Sequence, residues 1–188
     1  MATSFGPSAL ATPANAVTIG RLVCAPALWL LILLVGPSYV TLAVWIVLAA
    51  TDGVDGYLAR RHGTTRSGAF LDPLADKALV LGAMWALVAT DLFWWLPVVL
   101  ISAREVTISA FRSYWGRRGL AVPATGWAKV KTVVQSVAVG LALLPPVADR
   151  ALWLASSVLW VAAALTLLTG AHYLVGGSRA TVTGGARA

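Results

Sequence analysis

The chain has 188 residues, of which 59% are hydrophobic and 11% charged, and its formal net charge is +7. Soluble domains carry about 25% charged residues, so this composition cannot cover a solvated surface, and it excludes a soluble globule, a disordered chain and a disulfide scaffold. The mean hydropathy of +0.82 describes a chain whose exterior meets lipid.

A membrane-crossing helix needs about 20 mostly apolar residues. Residues 1–14 come first, small and polar with no basic n-region, and predict a mobile lead-in rather than a cleavable signal. Six apolar segments then follow in order, at 17–35, 39–58, 69–89, 93–114, 124–144 and 151–175. Short links with turn chemistry join them: Gly36-Pro37-Ser38, Arg61-His62-Gly63-Thr64, Thr90-Asp91, Arg117-Arg118-Gly119 and Pro145-Pro146. Cys24, in the first segment, has no second cysteine to bond and is expected simply to pack. The Gly-, Ser- and Thr-containing residues 176–188 predict a mobile tail. With no internal repeat, residues 15–175 read as one domain: an all-α integral membrane protein of six transmembrane helices.

Six crossings put both termini on one side, and the cations choose the side. With the N-terminus inside, every one of the 14 Lys and Arg except Arg150 falls toward the cytoplasmic half. The positive-inside rule therefore predicts cytoplasmic N- and C-termini in a multi-pass protein of the cell membrane. The same scatter of cations between apolar runs argues against a nucleic-acid partner, which needs them gathered on a solvated face. Trp94, Trp95 and Trp153 fall near the outer ends, where they either form an interfacial belt or fill gaps between helices.

Of seven acidic residues, four lie within 25 positions: Asp52, Asp55, Asp72 and Asp76. Spacings of three and four put each pair on one helix face, and the short link between the segments lets the pairs converge. A carboxylate within a span costs about 2.5–3.5 kcal/mol on insertion scales, so four together need compensation. Pairing with Arg60, Arg61, Arg66 and Lys77 would supply it, as would a proton or ion path, or divalent cations suited to carboxylate oxygens. His62 and His172 are isolated, so zinc spacing is absent. No GxxxxGK[ST] loop occurs either. Gly53, Gly56 and Gly68 surround the acids, admitting either a phosphate close to the backbone or a neighbouring helix.

Together these residues read Asp52-x-x-Asp55-Gly56-x-x-Ala59-Arg60, seven residues, then Gly68-x-x-x-Asp72-x-x-x-Asp76. This resembles the signature of the CDP-alcohol phosphotransferase family at every defining position. The resemblance implies six transmembrane helices with the active site at the cytoplasmic side, commonly a homodimer, two Mg2+ or Mn2+ ions and a CDP-linked substrate. It implies that Asp52, Asp55, Asp72 and Asp76 are metal ligands and that Asp76 also accepts the proton. Gly56, Arg60 and Thr65 would contact the CDP group, with Ala59 and Gly68 leaving room for it. The run Asn15-Ala16-Val17-Thr18-Ile19-Gly20-Arg21, with Pro26 beyond, is similar to the family's segment lining the nucleotide site. Asn15 and Thr18 join the CDP contacts on that basis, while Arg21 alternatively snorkels to lipid head groups.

Within the family, the 51–77 stretch resembles the branches that make phosphatidylglycerophosphate or cardiolipin. The stretches 104–112 and 126–132 look more like the first. That implies transfer of a phosphatidyl group from CDP-diacylglycerol to sn-glycerol 3-phosphate, giving phosphatidylglycerophosphate and CMP. The acceptor phosphate needs cations, and Arg104, Arg112 and Lys131 are the candidates, with snorkelling to lipid head groups or, for a basic neighbour of Glu105, pairing with that acid as the alternatives. A cardiolipin synthase with a lipid acceptor is the alternative within the family. An ion or proton transporter is the alternative outside it, but a transporter sets its acids at mid-membrane in repeated halves.

Overall fold

The computed structural model describes the backbone of residues 13–62, 68–117 and 127–184, and side-chain surroundings at 16–51, 74–110 and 130–170. The described residues are helical without a strand: α1 (Pro13–Val35), α2 (Tyr39–His62), α3 (Gly68–Ala89), α4 (Trp95–Arg117), α5 (Trp127–Leu143), α6 (Pro145–Arg150) and α7 (Leu152–Gly184).

The junctions follow from local chemistry. α1 ends at Gly36, whose φ of 72° is the left-handed geometry that closes helices, and its N–H donates to the Ile32 carbonyl at 3.0 Å. Ser38 then caps α2, its Oγ accepting from the Thr41 N–H at 3.0 Å. α3 closes differently, through Asp91 at φ 58°, while the N–H groups of Leu92 and Phe93 both donate to the Leu87 carbonyl. This turn takes in Phe93, whose ring is buried, so α4 starts at Trp95 rather than at the residue 93 expected from hydropathy. The Pro-Pro link is itself the short helix α6, with proline at its first positions, where no N–H is missed. α7 carries on past Gly176 to Gly184.

α1 packs most extensively on α3 and also on α2, α5 packs on α7, and α4 leans on α7. Leu28 and Ile32 of α1, Leu79, Met84 and Leu87 of α3, Val139 and Leu143 of α5 and Leu159 of α7 form the shared core. Two polar contacts tie helices at depth. Gln135 Nε2 donates to Thr166 Oγ1 at 3.1 Å between α5 and α7, and Trp45 Nε1 donates to the Ser136 carbonyl at 3.3 Å between α2 and α5. Hydrogen bonds of this kind hold membrane helices together where no hydrophobic force distinguishes neighbour from lipid.

The exterior is apolar: Val23, Leu34, Val47, Val106, Val133 and Leu168 are all exposed. Cys24 belongs to this outer face of α1 and is exposed, contrary to the packed position expected. Trp94, Trp95 and Trp153 are exposed too, so they do not fill interior gaps; Trp94 lies 6.4 Å from Trp95 and 5.8 Å from Trp160. Two stretches, Ala16–Val35 and Leu152–Gly170, are each long and apolar enough to cross a membrane unaided. α2, α3 and α4 carry charges within their length, which is what the site requires of them.

Candidate active site

Asp76, on the third turn of α3, lines a cavity of about 490 Å3. Arg21 reaches the same cavity from α1, and Thr132 and Ser136 reach it from α5. Arg21 is only 2% exposed. It is therefore buried at the cavity that Asp76 also lines, rather than extended outward. The rest of the lining is apolar, including Leu42 and Trp45 of α2 and Val137 and Leu141 of α5. Along α5 the lining runs from Thr132 to Leu141, about 14 Å at 1.5 Å per residue. The cavity thus has a charged head and an apolar length.

A second cluster adjoins the head through Lys77, the sequence neighbour of Asp76. Its hub is Glu105 of α4, which accepts from Arg104 Nη1 at 3.0 Å and from Lys131 Nζ of α5. Lys77 Nζ lies 3.8 Å from the other carboxylate oxygen and donates to Ser109 Oγ. Glu105 and Lys131 are both buried. A buried carboxylate is tolerable only when paired and hydrogen-bonded, and here it has several cations. Arg104 stretches on to α7, with Nη2 3.4 Å from Thr169 Oγ1. A Cβ placed on Gly170 would come within 3.1 Å of Arg104 Cγ and Nε, so the glycine leaves the space that this side chain fills.

The structure places Asp76 at a cavity and Arg104 and Lys131 together on Glu105. Thr18 is buried on α1 one turn before Arg21. The side chains of Asn15, Asp52, Asp55, Gly56, Ala59, Arg60, Thr65, Gly68, Asp72 and Arg112 lie outside the described residues. Among the described residues no three ligating side chains gather, since Asp76 is the one member of its quartet described. The donors nonetheless suit a hard divalent cation. All four are carboxylates, Asp52 and Asp55 fall on α2 near its end at His62, Asp72 and Asp76 follow the start of α3 at Gly68, and Asp76 faces open volume.

Three features escaped the sequence reading: the number of cations on Glu105, the burial of Arg21, and the seat that α7 gives Arg104. Only the last left a signal, the Thr169-Gly170 pair interrupting an apolar helix.

A family model described as CDP-alcohol phosphatidyltransferase matches residues 11–168. A probable phosphatidylglycerophosphate synthase of Mycobacterium tuberculosis is 40% identical over 148 residues, 74% of this chain and 69% of that protein. A CDP-diacylglycerol–glycerol-3-phosphate 3-phosphatidyltransferase of Bacillus subtilis is 36% identical over 166 residues, 75% and 86% of the two chains. Its Escherichia coli K12 namesake is 44% identical over 108 residues, 55% and 59% of the two. A membrane-embedded helical bundle with an aspartate at the head of an apolar cavity, matched along most of its length, belongs to the CDP-alcohol phosphatidyltransferase family.

Proposed function

We propose that this chain transfers the phosphatidyl group of CDP-diacylglycerol to sn-glycerol 3-phosphate, forming phosphatidylglycerophosphate and releasing CMP. The observation that carries this reading is the adjacency of two sites: a cavity with an acid at its head and an apolar length, and a knot of cations beside it. The first suits a nucleotide-activated lipid. The second suits a small, water-soluble phosphate. Relatives at 36–44% identity are named for this reaction.

The acceptor hydroxyl attacks the lipid-side phosphorus of CDP-diacylglycerol. A new P–O bond forms, the bond to the CMP phosphate breaks, and CMP departs with the bonding electron pair. Asp76 takes the hydroxyl proton, a role that needs hydrogen-bond reach of the bound acceptor. Asp52, Asp55, Asp72 and Asp76 hold two divalent cations, Mg2+ or Mn2+, which when bound neutralise the diphosphate and the charge on the leaving oxygen. Arg21 adds a buried cation at the same head. Asn15, Thr18, Gly56, Ala59, Arg60, Thr65 and Gly68 receive the CDP group. Arg104, Arg112 and Lys131 hold the acceptor phosphate, for which a guanidinium gives a two-pronged grip. The acyl chains lie along the apolar length beside Trp45 and Val137 and leave sideways into the bilayer. Positioning and charge stabilisation carry most phosphoryl chemistry, and these residues supply both.

The chain is a six-span protein of the cell membrane with both termini in the cytoplasm, working as a homodimer. The asymmetry of its cations supports that orientation. Purified protein supplied with labelled CDP-diacylglycerol should release CMP with glycerol 3-phosphate, and not with phosphatidylglycerol or inositol phosphate. Preference for phosphatidylglycerol would make it a cardiolipin synthase instead.

A further inference from the structure

Resting on that reading, we propose that Glu105 is the positioning residue of the acceptor-phosphate site. It draws Lys77, Arg104 and Lys131 from α3, α4 and α5 to one point, while Gly170 of α7 gives Arg104 its seat, and together they hold the cations in place for the acceptor's phosphate.

Lys77, Arg104 and Lys131 converge on one carboxylate, so cations outnumber the acid at this point of the fold, and a phosphate is the kind of anion such a cluster attracts. Three cations this close in a low-dielectric interior repel one another strongly. Glu105 offsets the repulsion and sets the geometry: Oε1 takes Arg104 and Lys131, and Oε2 faces Lys77 at 3.8 Å.

The position of Arg104 is set from a fourth helix as well. Its guanidinium reaches Thr169, and its stem passes Gly170 so closely that a methyl group there would sit 3.1 Å from Cγ and Nε. Contacts at 3.0–3.4 Å force a neighbour to give way. The long side chain of Arg104 is the neighbour able to do so, and a shift of a few tenths of an ångström would disturb its contact with Glu105.

The test varies glycerol 3-phosphate and CDP-diacylglycerol separately in wild type, Glu105→Gln, Glu105→Asp and Gly170→Ala. Glu105→Gln should raise KM for glycerol 3-phosphate at least tenfold and move KM for CDP-diacylglycerol less than twofold. Glu105→Asp should recover part of the loss, and Gly170→Ala should raise the acceptor KM several-fold. The competitive inhibition constant of inorganic phosphate should rise in parallel. An acceptor KM that stays level or falls in Glu105→Gln would overturn the proposal, because charge alone would then govern the site. Equal changes in both KM values would overturn it as well, marking a purely structural role. Should Glu105→Gln fail to assemble, Gly170→Ala retains all four charges and decides the matter alone. A wild type that releases no CMP with glycerol 3-phosphate defeats the reaction assigned above instead. In that event protection by inorganic phosphate against thermal unfolding, present in wild type and lost in Gly170→Ala, still tests the site; equal protection of both would sink it.

Discussion

Gly82 of α3 lies directly beneath the indole of Trp29 of α1, so close that a Cβ on the glycine would overlap the ring. The absence of a side chain at Gly82 lets the two most extensively packed helices approach, and α3 is the helix that carries Asp76. Gly82→Ala should destabilise the protein by about 1–3 kcal/mol, the usual range for overpacking. Among the described residues no acceptor meets the buried Trp29 Nε1. Trp29→Phe should accordingly cost little, and the double variant should lose less than the sum of the two, as contacting residues do. Denaturation of the detergent-solubilised protein checks both.

The apolar length of the cavity is open to a filling test. Gly140 lines it on α5, 3.4 Å from Trp45 Nε1 measured from a built Cβ. Gly140→Leu should occupy volume that the acyl chains use and raise KM about tenfold, or about 1.4 kcal/mol, for a long-chain CDP-diacylglycerol. A short-chain donor should be affected several-fold less. Equal effects on the two donors would remove the tails from this groove.

Removal of divalent cations should stop CMP release and leave the helical content in place. Chelation with EDTA followed by Mg2+ or Mn2+ addition, read by CMP release and by circular dichroism, makes the comparison. Activity that persists in EDTA would contradict the role given to the four aspartates.

Much of this architecture was legible before any coordinates, because apolar runs of membrane length and Gly, Pro or Asp at their ends are dictated by the bilayer and by backbone geometry. The turns at Gly36 and Thr90-Asp91 are cases in point. Less legible was anything that depends on which helices meet. Arg21 looks like an interfacial cation in one dimension, and only the packing of α1 on α3 buries it beside Asp76. Cys24, three residues on and about 60° round the helix from Arg21, is already exposed, so the buried stripe of α1 is narrow there. Glu105 could be foreseen as a counter-ion, but not as the meeting point of Lys77 and Lys131, which lie 28 residues before it and 26 after it. α7 read as featureless, since a glycine that seats an arginine from another helix resembles any small residue in a span.

The measurement that bears most directly on the account is CMP release by Asp76→Asn beside wild type, in matched vesicles with CDP-diacylglycerol and glycerol 3-phosphate. The substitution keeps the shape of the cavity head and removes its proton acceptor. General-base catalysis contributes about 10²–10⁴-fold, so a rate at least a hundredfold lower is expected from protein that still inserts and still unfolds at the wild-type temperature. Release at the wild-type rate would contradict the assignment of this cavity as the reaction centre.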